Sequence, residues 1–319
     1  QSQSIAALVH GFATWRRDVT VAGVIVNRVA TTRHERMLRA ALEPVGLPVL
    51  GVLPRRDGLH LPDRHLGLVL PGEIAGFDAV VAAAAEAVAE YVELNRLLAL
   101  SAPLRLPSSV REEVGAGGQR NLAVLPPLGQ RIAIARDDAF AFLYPHWLAD
   151  WREQGAEVGF FSPLADEAPA TDADAVLLPG GYPELHAARL ANATRFKTGL
   201  LAARDRGALI YGECGGYMVL GETLTDKSGA AFPMAGLLPV SSRIDRPRRT
   251  LGYRRLAHAS PLPWPAALTG HEFHYSSGSS DAAAPLFAAT DALGEPVAPM
   301  GAVAGRVMGS YAHVIDVAG

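Results

Sequence analysis

The chain has 319 residues, of which 49% are hydrophobic and 19% charged, so it has enough apolar surface for packed cores and is not intrinsically disordered. Its 29 Lys and Arg residues against 32 Asp and Glu residues give a net charge of −3, which excludes an overall positive field for holding nucleic acid or an anionic membrane surface. A chain of 319 residues also favours two domains over one.

The single cysteine, Cys214, excludes an internal disulfide and a cysteine-rich zinc site, and we expect a protein of the reducing cytoplasm. The longest apolar run, residues 79–89, is interrupted by Glu86 and is far shorter than the roughly 20 residues that a membrane helix needs. The first residues lack the order of a signal peptide, and the sequence begins with Gln rather than Met, which indicates a processed product or a fragment.

The start of the chain predicts the order helix, strand, helix, strand. Apolar residues at helical spacing predict a helix over residues 4–15, and a β-branched run predicts a buried strand over residues 19–26. A second helix is predicted over residues 33–42 and a second strand over residues 49–53, which Pro54 ends. Short apolar strands separated by a helix are typical of crossover units in a parallel sheet.

A domain boundary is predicted after one or two long helices over residues 74–100. The Pro- and Gly-rich segment that follows, residues 101–129, shows little periodicity and indicates a linker. We therefore expect a first domain over residues 1–100 and a second over residues 130–319.

The second domain alternates strands and helices at first, which predicts another α/β sandwich. Strands are predicted over residues 131–135, 157–161, 175–178 and 208–211, and helices over residues 144–154, 183–190 and 193–206. From Met234 onward the pattern changes to short strands between Pro-, Gly- and Arg-rich turns, among them a strand over residues 304–308.

The sharpest local signal is an apolar strand that runs into GECGG, residues 212–216, and then into a helical segment. A nucleophile framed by small residues is typical of a tight strand-to-helix bend. The helix dipole and the unpaired N–H groups at such a bend favour the thiolate, so we expect the pKa of Cys214 to lie below its ordinary value. The alternative is an inert buried cysteine.

A thiolate needs donors for an oxyanion and a proton carrier to catalyse acyl transfer. The predicted strand over residues 175–178 ends in a pair of glycines, and we expect the backbone amides of Gly181 and Gly215 to form an oxyanion hole. An ordinary turn is the alternative for the glycine pair. Among ten histidines, His313 is the candidate base because it is predicted to lie in a loop at the end of a strand; a structural histidine is the alternative.

Five segments, in this order and spacing, resemble the class I glutamine amidotransferase domain of the cobyrinic acid or hydrogenobyrinic acid a,c-diamide synthases: LPGGYPE, YGECGGYM, LGYR, GHEFHYS and GSYAHV. In the first hundred residues, GVIVNRV, RHERMLRAALEPVGLPVLGVLPR and LPDRHLGLV resemble the second half of that family's ATP-dependent synthetase domain, which is similar to dethiobiotin synthetase. The resemblance implies two α/β domains: a partial P-loop-type parallel domain and a flavodoxin-like amidotransferase domain.

The resemblance further implies ATP- and glutamine-dependent amidation of the a and c carboxylates of cobyrinic or hydrogenobyrinic acid in cobalamin biosynthesis. It assigns to Cys214 the attack on the side-chain amide of glutamine, and to His313 the proton transfer to the departing ammonia. The usual amidotransferase pattern has Glu two residues after the His, where this sequence has Ile315. Asp316, one position further on, is not assigned this role, and we expect a Cys–His dyad.

ATP and Mg²⁺ are the cofactors that the resemblance implies, although the sequence has no G-x-x-x-x-G-K-[ST] motif. The family's P-loop precedes the matched region, so we expect the phosphate-binding half to precede this sequence; loss of the loop is the alternative. Asn27 is the candidate for hydrogen bonding to adenine, because its amide offers both a donor and an acceptor, and Pro54 would flank the base. Without the resemblance, Asn27 would be a turn former and Pro54 a strand end.

A corrinoid polycarboxylate would require cations, and Arg254 in an Arg-rich stretch is the candidate, with a solvated loop as the alternative. His271, Glu272, His274 and Tyr275 are further candidates for the acceptor site. Histidines three residues apart on a strand face opposite ways, so no metal site is expected there.

Two other functions stay open at this point. The acceptor could be another tetrapyrrole acid of the cobyric acid or nickel-sirohydrochlorin type, or the chain could be a non-catalytic binding protein of the same fold. The expected partners are glutamine and the corrinoid substrate, and a homodimer is a possible assembly.

Overall fold

A computed structural model describes residues 3–62, 69–101, 124–279 and 283–318. The chain forms two compact units, residues 1–118 and residues 119–319. Most of the predicted linker, residues 101–129, lies outside the described residues.

The first unit is a small α/β arrangement. It contains α1 (Ser4–Trp15), β1 (Val24–Val29), α2 (Thr32–Leu42), β2 (Val49–Pro54), α3 (Phe77–Tyr91) and α4 (Leu94–Leu100). The two strands pair in parallel, as predicted. Strand β1 begins later than predicted because its pairing starts where Val24 N–H donates to Pro48 O at 2.9 Å. It also ends later, where Val29 pairs with Pro54, so Asn27 lies inside the strand rather than after it.

A small cluster of buried apolar side chains joins α2 to the two strands: Val26, Val29, Leu38, Leu42 and Val52. The side chain of Thr31 caps α2 by accepting from His34 N–H at 3.1 Å, which satisfies one of the unpaired amides of the first turn.

The second unit contains four helices and three sheets within the described residues. The helices are α5 (Pro145–Glu153), α6 (Ala187–Asn192), α7 (Thr194–Asp205) and α8 (Gly215–Leu220). The strands are β3 (Arg131–Ala135), β4 (Glu157–Phe161), β5 (Ala175–Leu178), β6 (Leu209–Glu213), β7 (Thr223–Thr225), β8 (Ala231–Pro233), β9 (Ser241–Arg243), β10 (Thr250–Ala257), β11 (Ala267–His274), β12 (Ser277–Ser279), β13 (Phe287–Thr290), β14 (Pro296–Met300), β15 (Ala302–Ala304), β16 (Val307–Ser310) and β17 (His313–Val317).

The central sheet has the order β15-β16-β6-β5-β3-β4, and its strands are parallel except for the β15–β16 hairpin. An antiparallel sheet, β14-β13-β10-β11-β17, shares one buried apolar cluster with it, and α6 and α7 share a second cluster with it. A smaller sheet has the order β12-β9-β7-β8. The parallel strands with helices confirm the predicted α/β class.

Two predicted elements of this unit are wrong in detail. The helix predicted over residues 183–190 is divided into a 3₁₀ turn, Pro183–Leu185, and α6. The strand predicted over residues 304–308 is interrupted by the turn of the β15–β16 hairpin, because Gly305 adopts a φ of 63° that reverses the chain.

Candidate active site

Cys214 lies at the bend between β6 and α8, with a φ of 47° and a ψ of −105°. This left-handed backbone is uncommon for a residue with a side chain, and such strain is concentrated at functional sites. The bend needs its flanking glycines: a Cβ on Gly216 would lie 1.9 Å from Leu178 O, inside its van der Waals radius. Cys214 N–H donates to Ser310 O at 2.8 Å, which fixes the bend against the neighbouring strand β16.

His313 lies beside the nucleophile, although it is the first residue of β17 rather than part of a loop as predicted. A Cβ added to Gly180 would lie 2.5 Å from His313 Cε1 and 3.4 Å from Cys214 Cβ, so the imidazole and the cysteine border the same glycine. His313 pairs with His271 across β17 and β11, and the two rings stack with their centroids 4.9 Å apart. The structure therefore brings Cys214 and His313 together.

The backbone amides of Gly181 and Gly215 also approach each other. A Cβ on Gly215 would lie 3.1 Å from Gly181 N, and a Cβ on Gly181 would collide with Ala139 O at 2.1 Å. A side chain at either position would collide with its neighbours, so the close packing of these two segments requires glycine at both.

Burial makes the resting centre electrically neutral. Cys214 is only 2% exposed, and its burial, followed by the charge of Glu184, raises the pKa of the thiol to about 12 although Gly215 N–H favours the thiolate. The expectation of a depressed thiol pKa is therefore wrong, because desolvation outweighs the effect of a helix of only six residues. Burial, with His271 and His274 nearby, lowers the pKa of His313 to about 3. At neutral pH the pair is a thiol and a neutral imidazole.

Glu213 was not among the predicted site residues, yet its carboxyl group faces His313. Oε2 of Glu213 lies 3.8 Å from His313 Nδ1, and Oε1 accepts from the Tyr211 hydroxyl and from Val314 N–H at 3.0 Å each. Burial raises the pKa of this carboxyl to about 8, against the opposing effect of those two donors. Its position directly before the nucleophile, at the carboxyl end of a parallel strand, was the available sequence signal.

The predicted acceptor residues divide between the two faces of β11. His271 Nε2 lies 2.8 Å from the Tyr144 hydroxyl, on the side of His313. On the other face, Glu272 accepts from Arg254 Nε at 2.7 Å and lies 3.3 Å from His274 Nε2. Although burial opposes it, the contacts with His274 and Arg254 hold the pKa of Glu272 below its ordinary value.

This pairing means that the charge of Arg254 is already balanced by a carboxylate. Beyond it, the ring of His274 stacks on Tyr311 at 4.3 Å, and the Tyr311 hydroxyl lies 2.7 Å from Ser242 Oγ. The remaining candidate, Tyr275, accepts from Arg248 N–H through its backbone carbonyl at 3.0 Å.

In the first unit, Asn27 and Pro54 line one cavity of about 610 Å³ together with Arg28, Arg55 and Arg56. The side-chain oxygen of Asn27 accepts from Arg28 N–H at 2.8 Å, and Arg28 has a left-handed φ of 59°. A polar cavity with three guanidinium groups fits a nucleotide, because the amide suits a base and the cations suit phosphates.

Metal-ligating side chains do not converge anywhere in the described part of the chain: no three His, Cys, Asp or Glu residues form a group suited to an ion. None of the helices in residues 3–62, 69–101, 124–279 and 283–318 is both long and apolar enough to cross a bilayer.

Comparison with known proteins gives two family matches. The CobB/CobQ-like glutamine amidotransferase domain matches residues 131–317, and the CobQ/CobB/MinD/ParA nucleotide binding domain matches residues 1–69. Among solved structures, a glutamine amidotransferase from Thermotoga maritima is similar to 57% of this chain and 75% of its own, with 18% identity and a TM-score of 0.40, and so distant a likeness supports no conclusion.

The name hydrogenobyrinate a,c-diamide synthase is carried by curated relatives from several bacteria. The protein of Brucella abortus is 51% identical over 100% of this chain and 71% of its own length. Those of a Sinorhizobium species and of Rhodobacter capsulatus are each 50% identical, over 100% and 99% of this chain and 71% and 70% of their own lengths. The chain belongs to the family of the hydrogenobyrinate a,c-diamide synthases, which confirms the family that the sequence motifs predicted.

Proposed function

We propose that the chain hydrolyses glutamine at Cys214 and supplies the ammonia for ATP-dependent amidation of the a and c carboxylates of hydrogenobyrinic acid. The observation that carries this proposal is the strained bend at Cys214 with His313 beside it, both bordering Gly180. The names of the relatives favour hydrogenobyrinic acid over the other tetrapyrrole acids, and this built site favours an enzyme over a binding protein.

In the proposed mechanism, His313 takes the thiol proton as Cys214 Sγ forms a bond with the side-chain carbonyl carbon of glutamine. Gly181 and Gly215 N–H stabilise the oxyanion of the tetrahedral intermediate. His313 then gives its proton to the departing nitrogen, the carbon–nitrogen bond breaks, and ammonia leaves a thioester on Cys214. A water molecule, deprotonated by His313, hydrolyses the thioester and releases glutamate.

The neutral resting state suits this order of events. A preformed thiolate would be costly at a site this buried, whereas proton transfer during the attack never creates an isolated buried charge. Glutamine bound next to the thiol changes the surroundings of Cys214, so we expect proton transfer to His313 to occur only in the complex with the substrate.

We further propose that the cavity of Asn27 and Pro54 binds the base of ATP and that the nucleotide carries Mg²⁺. ATP supplies the phosphoryl group that makes a carboxylate reactive toward ammonia. Proteins commonly hold Mg²⁺ through one or two carboxylates and the substrate phosphates rather than through a cage of side chains, and Asp57 is a carboxylate at this cavity. Arg56, paired with Glu90 at 2.6 Å, is the guanidinium fixed in place there.

The conditions and the assembly are also part of the proposal. A single catalytic thiol requires a reducing compartment, which supports the cytoplasm as the place of action. The homodimer and the role of His271, Glu272, His274, Tyr275 and Arg254 at the corrinoid stay predictions; sedimentation and binding spectra with each tetrapyrrole acid would test them.

The decisive experiment replaces the nucleophile. We expect Cys214→Ala to reduce glutamate release from glutamine by roughly 10³-fold or more, because no other side chain can form the thioester. In the full-length protein, amidation of hydrogenobyrinic acid with ammonium salt in place of glutamine should be unchanged, since it bypasses the thiol. Glutamate release is measured enzymatically and the amidated product by mass. Undiminished glutamate release by Cys214→Ala would refute the assignment of the nucleophile.

A further inference from the structure

We propose that Glu213 is the positioning acid of this centre: it holds Nδ1–H of His313 and so keeps Nε2 of the imidazole free to take the proton of Cys214. This inference rests on the proposed glutaminase function. It assigns to the residue directly before the nucleophile a task that the usual amidotransferase pattern gives to a Glu two residues after the histidine.

The two oxygens of Glu213 have separate environments. Oε1 accepts from the Tyr211 hydroxyl and from Val314 N–H, each at 3.0 Å. Because Val314 follows His313 directly, one oxygen fixes the backbone that carries the base, while the other, Oε2, is left facing Nδ1 of the ring at 3.8 Å. A carboxyl group anchored in this way holds the imidazole relative to the nucleophile on the same stretch of chain.

The distance of 3.8 Å is longer than a hydrogen bond and belongs to the ligand-free centre. Catalytic hydrogen bonds are often long in the free enzyme and shorten in the substrate complex. When His313 takes the thiol proton, it becomes a cation in a dry site, and the Glu213 carboxyl, which is ionised above its pKa of about 8, is the group that stabilises that cation.

The alternative acid, Asp316, does not reach the ring. Asp316 is exposed and pairs with Thr269 of β11, whereas His313 is buried and pairs with His271, two residues further along that strand. Ile315 lies at the register shift between these two pairs and has no acidic group; its carbonyl lies 3.3 Å from the donor Trp147 Nε1.

The ionisable groups that face Glu213 and His313 come from four elements. Tyr211 shares β6 with Glu213, Tyr144 precedes α5, and Cys214 follows directly. His271 of β11 stacks on His313, and the charge of His274 also acts on His313 although its ring stacks on Tyr311. Apart from Glu213 itself, the nearest of these, His271, is a stacked ring that cannot accept from Nδ1 in the plane of the imidazole.

The test is Glu213→Gln, which keeps an oxygen for Val314 N–H and Tyr211 but turns a donor toward His313. The ring must then accept at Nδ1 and carry its proton on Nε2, where it cannot act as a base. We expect kcat for glutamine hydrolysis to fall roughly 10²- to 10⁴-fold with KM within about threefold, and Glu213→Asp to restore part of the rate.

A second measurement separates orientation from structure. In protein labelled with ¹⁵N-histidine, the His313 signal should report the Nδ1–H form in the wild type and the Nε2–H form in Glu213→Gln, with His313→Gln identifying the signal among ten histidines. Asp316→Asn is the matched control and should leave kcat and the His313 signal unchanged.

The possible failures are distinguishable. A wild type that releases no glutamate and is not labelled at Cys214 by a diazoketone analogue of glutamine overturns the proposed function itself. A wild-type enzyme that is active, together with a folded Glu213→Gln variant of equal kcat and an unchanged His313 tautomer, overturns only the role of Glu213. A large loss of kcat in Asp316→Asn would do the same.

Discussion

At Cys214, the local backbone and the tertiary environment act in opposite directions on the thiol. The helix N-terminus and Gly215 N–H favour the thiolate, whereas burial and the acidic neighbours favour the protonated form, and burial has the larger effect. The consequence is a thiol that stays protonated at neutral pH in the ligand-free protein. This limits side reactions such as oxidation, which requires thiolate character and exposure.

The raised thiol pKa gives a distinctive dependence of alkylation on pH. Without glutamine, the rate of Cys214 modification by iodoacetamide should rise about tenfold per pH unit from pH 7 to pH 10, because the thiolate fraction keeps growing below a pKa of about 12. Since Cys214 is the sole cysteine, the adduct is counted by intact mass. Circular dichroism at each pH checks that the fold persists.

A thiol of depressed pKa would behave differently, with a rate that levels off below about pH 8. Such a plateau in the folded protein would contradict the neutral resting pair. Alkylation of the urea-unfolded chain, where the cysteine has its ordinary pKa, provides the comparison.

The sequence predicted the bend at Cys214 correctly because the residues that determine this bend are adjacent in the chain. The glycines around Cys214 predicted the bend because a Cβ at Gly216 would meet a backbone carbonyl, and that requirement is visible in five consecutive letters. The thiol pKa was predicted wrongly from the same letters, because desolvation depends on what the rest of the fold packs over them. Glu213 was missed for a similar reason: its contact with His313 joins residues 100 positions apart, on strands of two different sheets.

At the scale of elements, the centre lies where the chain leaves the central sheet after β16 and enters the antiparallel sheet at β17. Strand β16 runs parallel to β6 with Ser310 opposite Glu213, and the chain then enters β17 of the antiparallel sheet at His313. Ser310 O, at the end of β16, accepts a hydrogen bond from Cys214 N–H. Cys214 and His313 are thus held by two sheets rather than by loops, which suits the precise geometry that the proposed mechanism requires.

The turn after β5 also borders Cys214 and His313, and Gly180 is the residue of this turn that lies next to both. A Cβ there would lie 2.5 Å from His313 Cε1, so Gly180→Ala should push the imidazole away from Cys214. We expect kcat for glutamine hydrolysis to fall roughly 10²-fold, the scale of a misplacement of about 1 Å. The His313 ring can give way without disturbing backbone, so the melting temperature should change by only a few degrees.

The matched control for this change is Gly159→Ala on the edge strand β4, where a Cβ would meet nothing within 4 Å. It should leave kcat and melting temperature as in the wild type. An active Gly180→Ala enzyme with normal kcat would show that the imidazole does not occupy this position during the reaction.

At the scale of the whole molecule, the two units differ in the size of their buried apolar clusters. The second unit contains two large buried clusters on either face of its central sheet, whereas the described part of the first has one small cluster around a two-stranded sheet. Two-stranded sheets are marginal without further packing. Large apolar side chains of the first unit also lie outside this cluster: Phe12 is 69% exposed and Trp15 is 86% exposed, so neither adds to the buried core.

This asymmetry predicts different behaviour for the two units expressed separately. Residues 124–319 should fold alone, unfold in one cooperative thermal transition, and react with a diazoketone analogue of glutamine at Cys214 within about threefold of the rate of the 319-residue chain. Residues 3–101 should show no cooperative transition, because their burial of apolar surface does not offset the conformational entropy of ordering the chain. Calorimetry and labelling kinetics measure both expectations, and the Cys214→Ser form of the fragment is the labelling control. All residues of the centre described above belong to the second unit. If the fragment folds but is not labelled while the 319-residue chain is labelled, the first unit contributes to the glutamine site and this prediction is wrong.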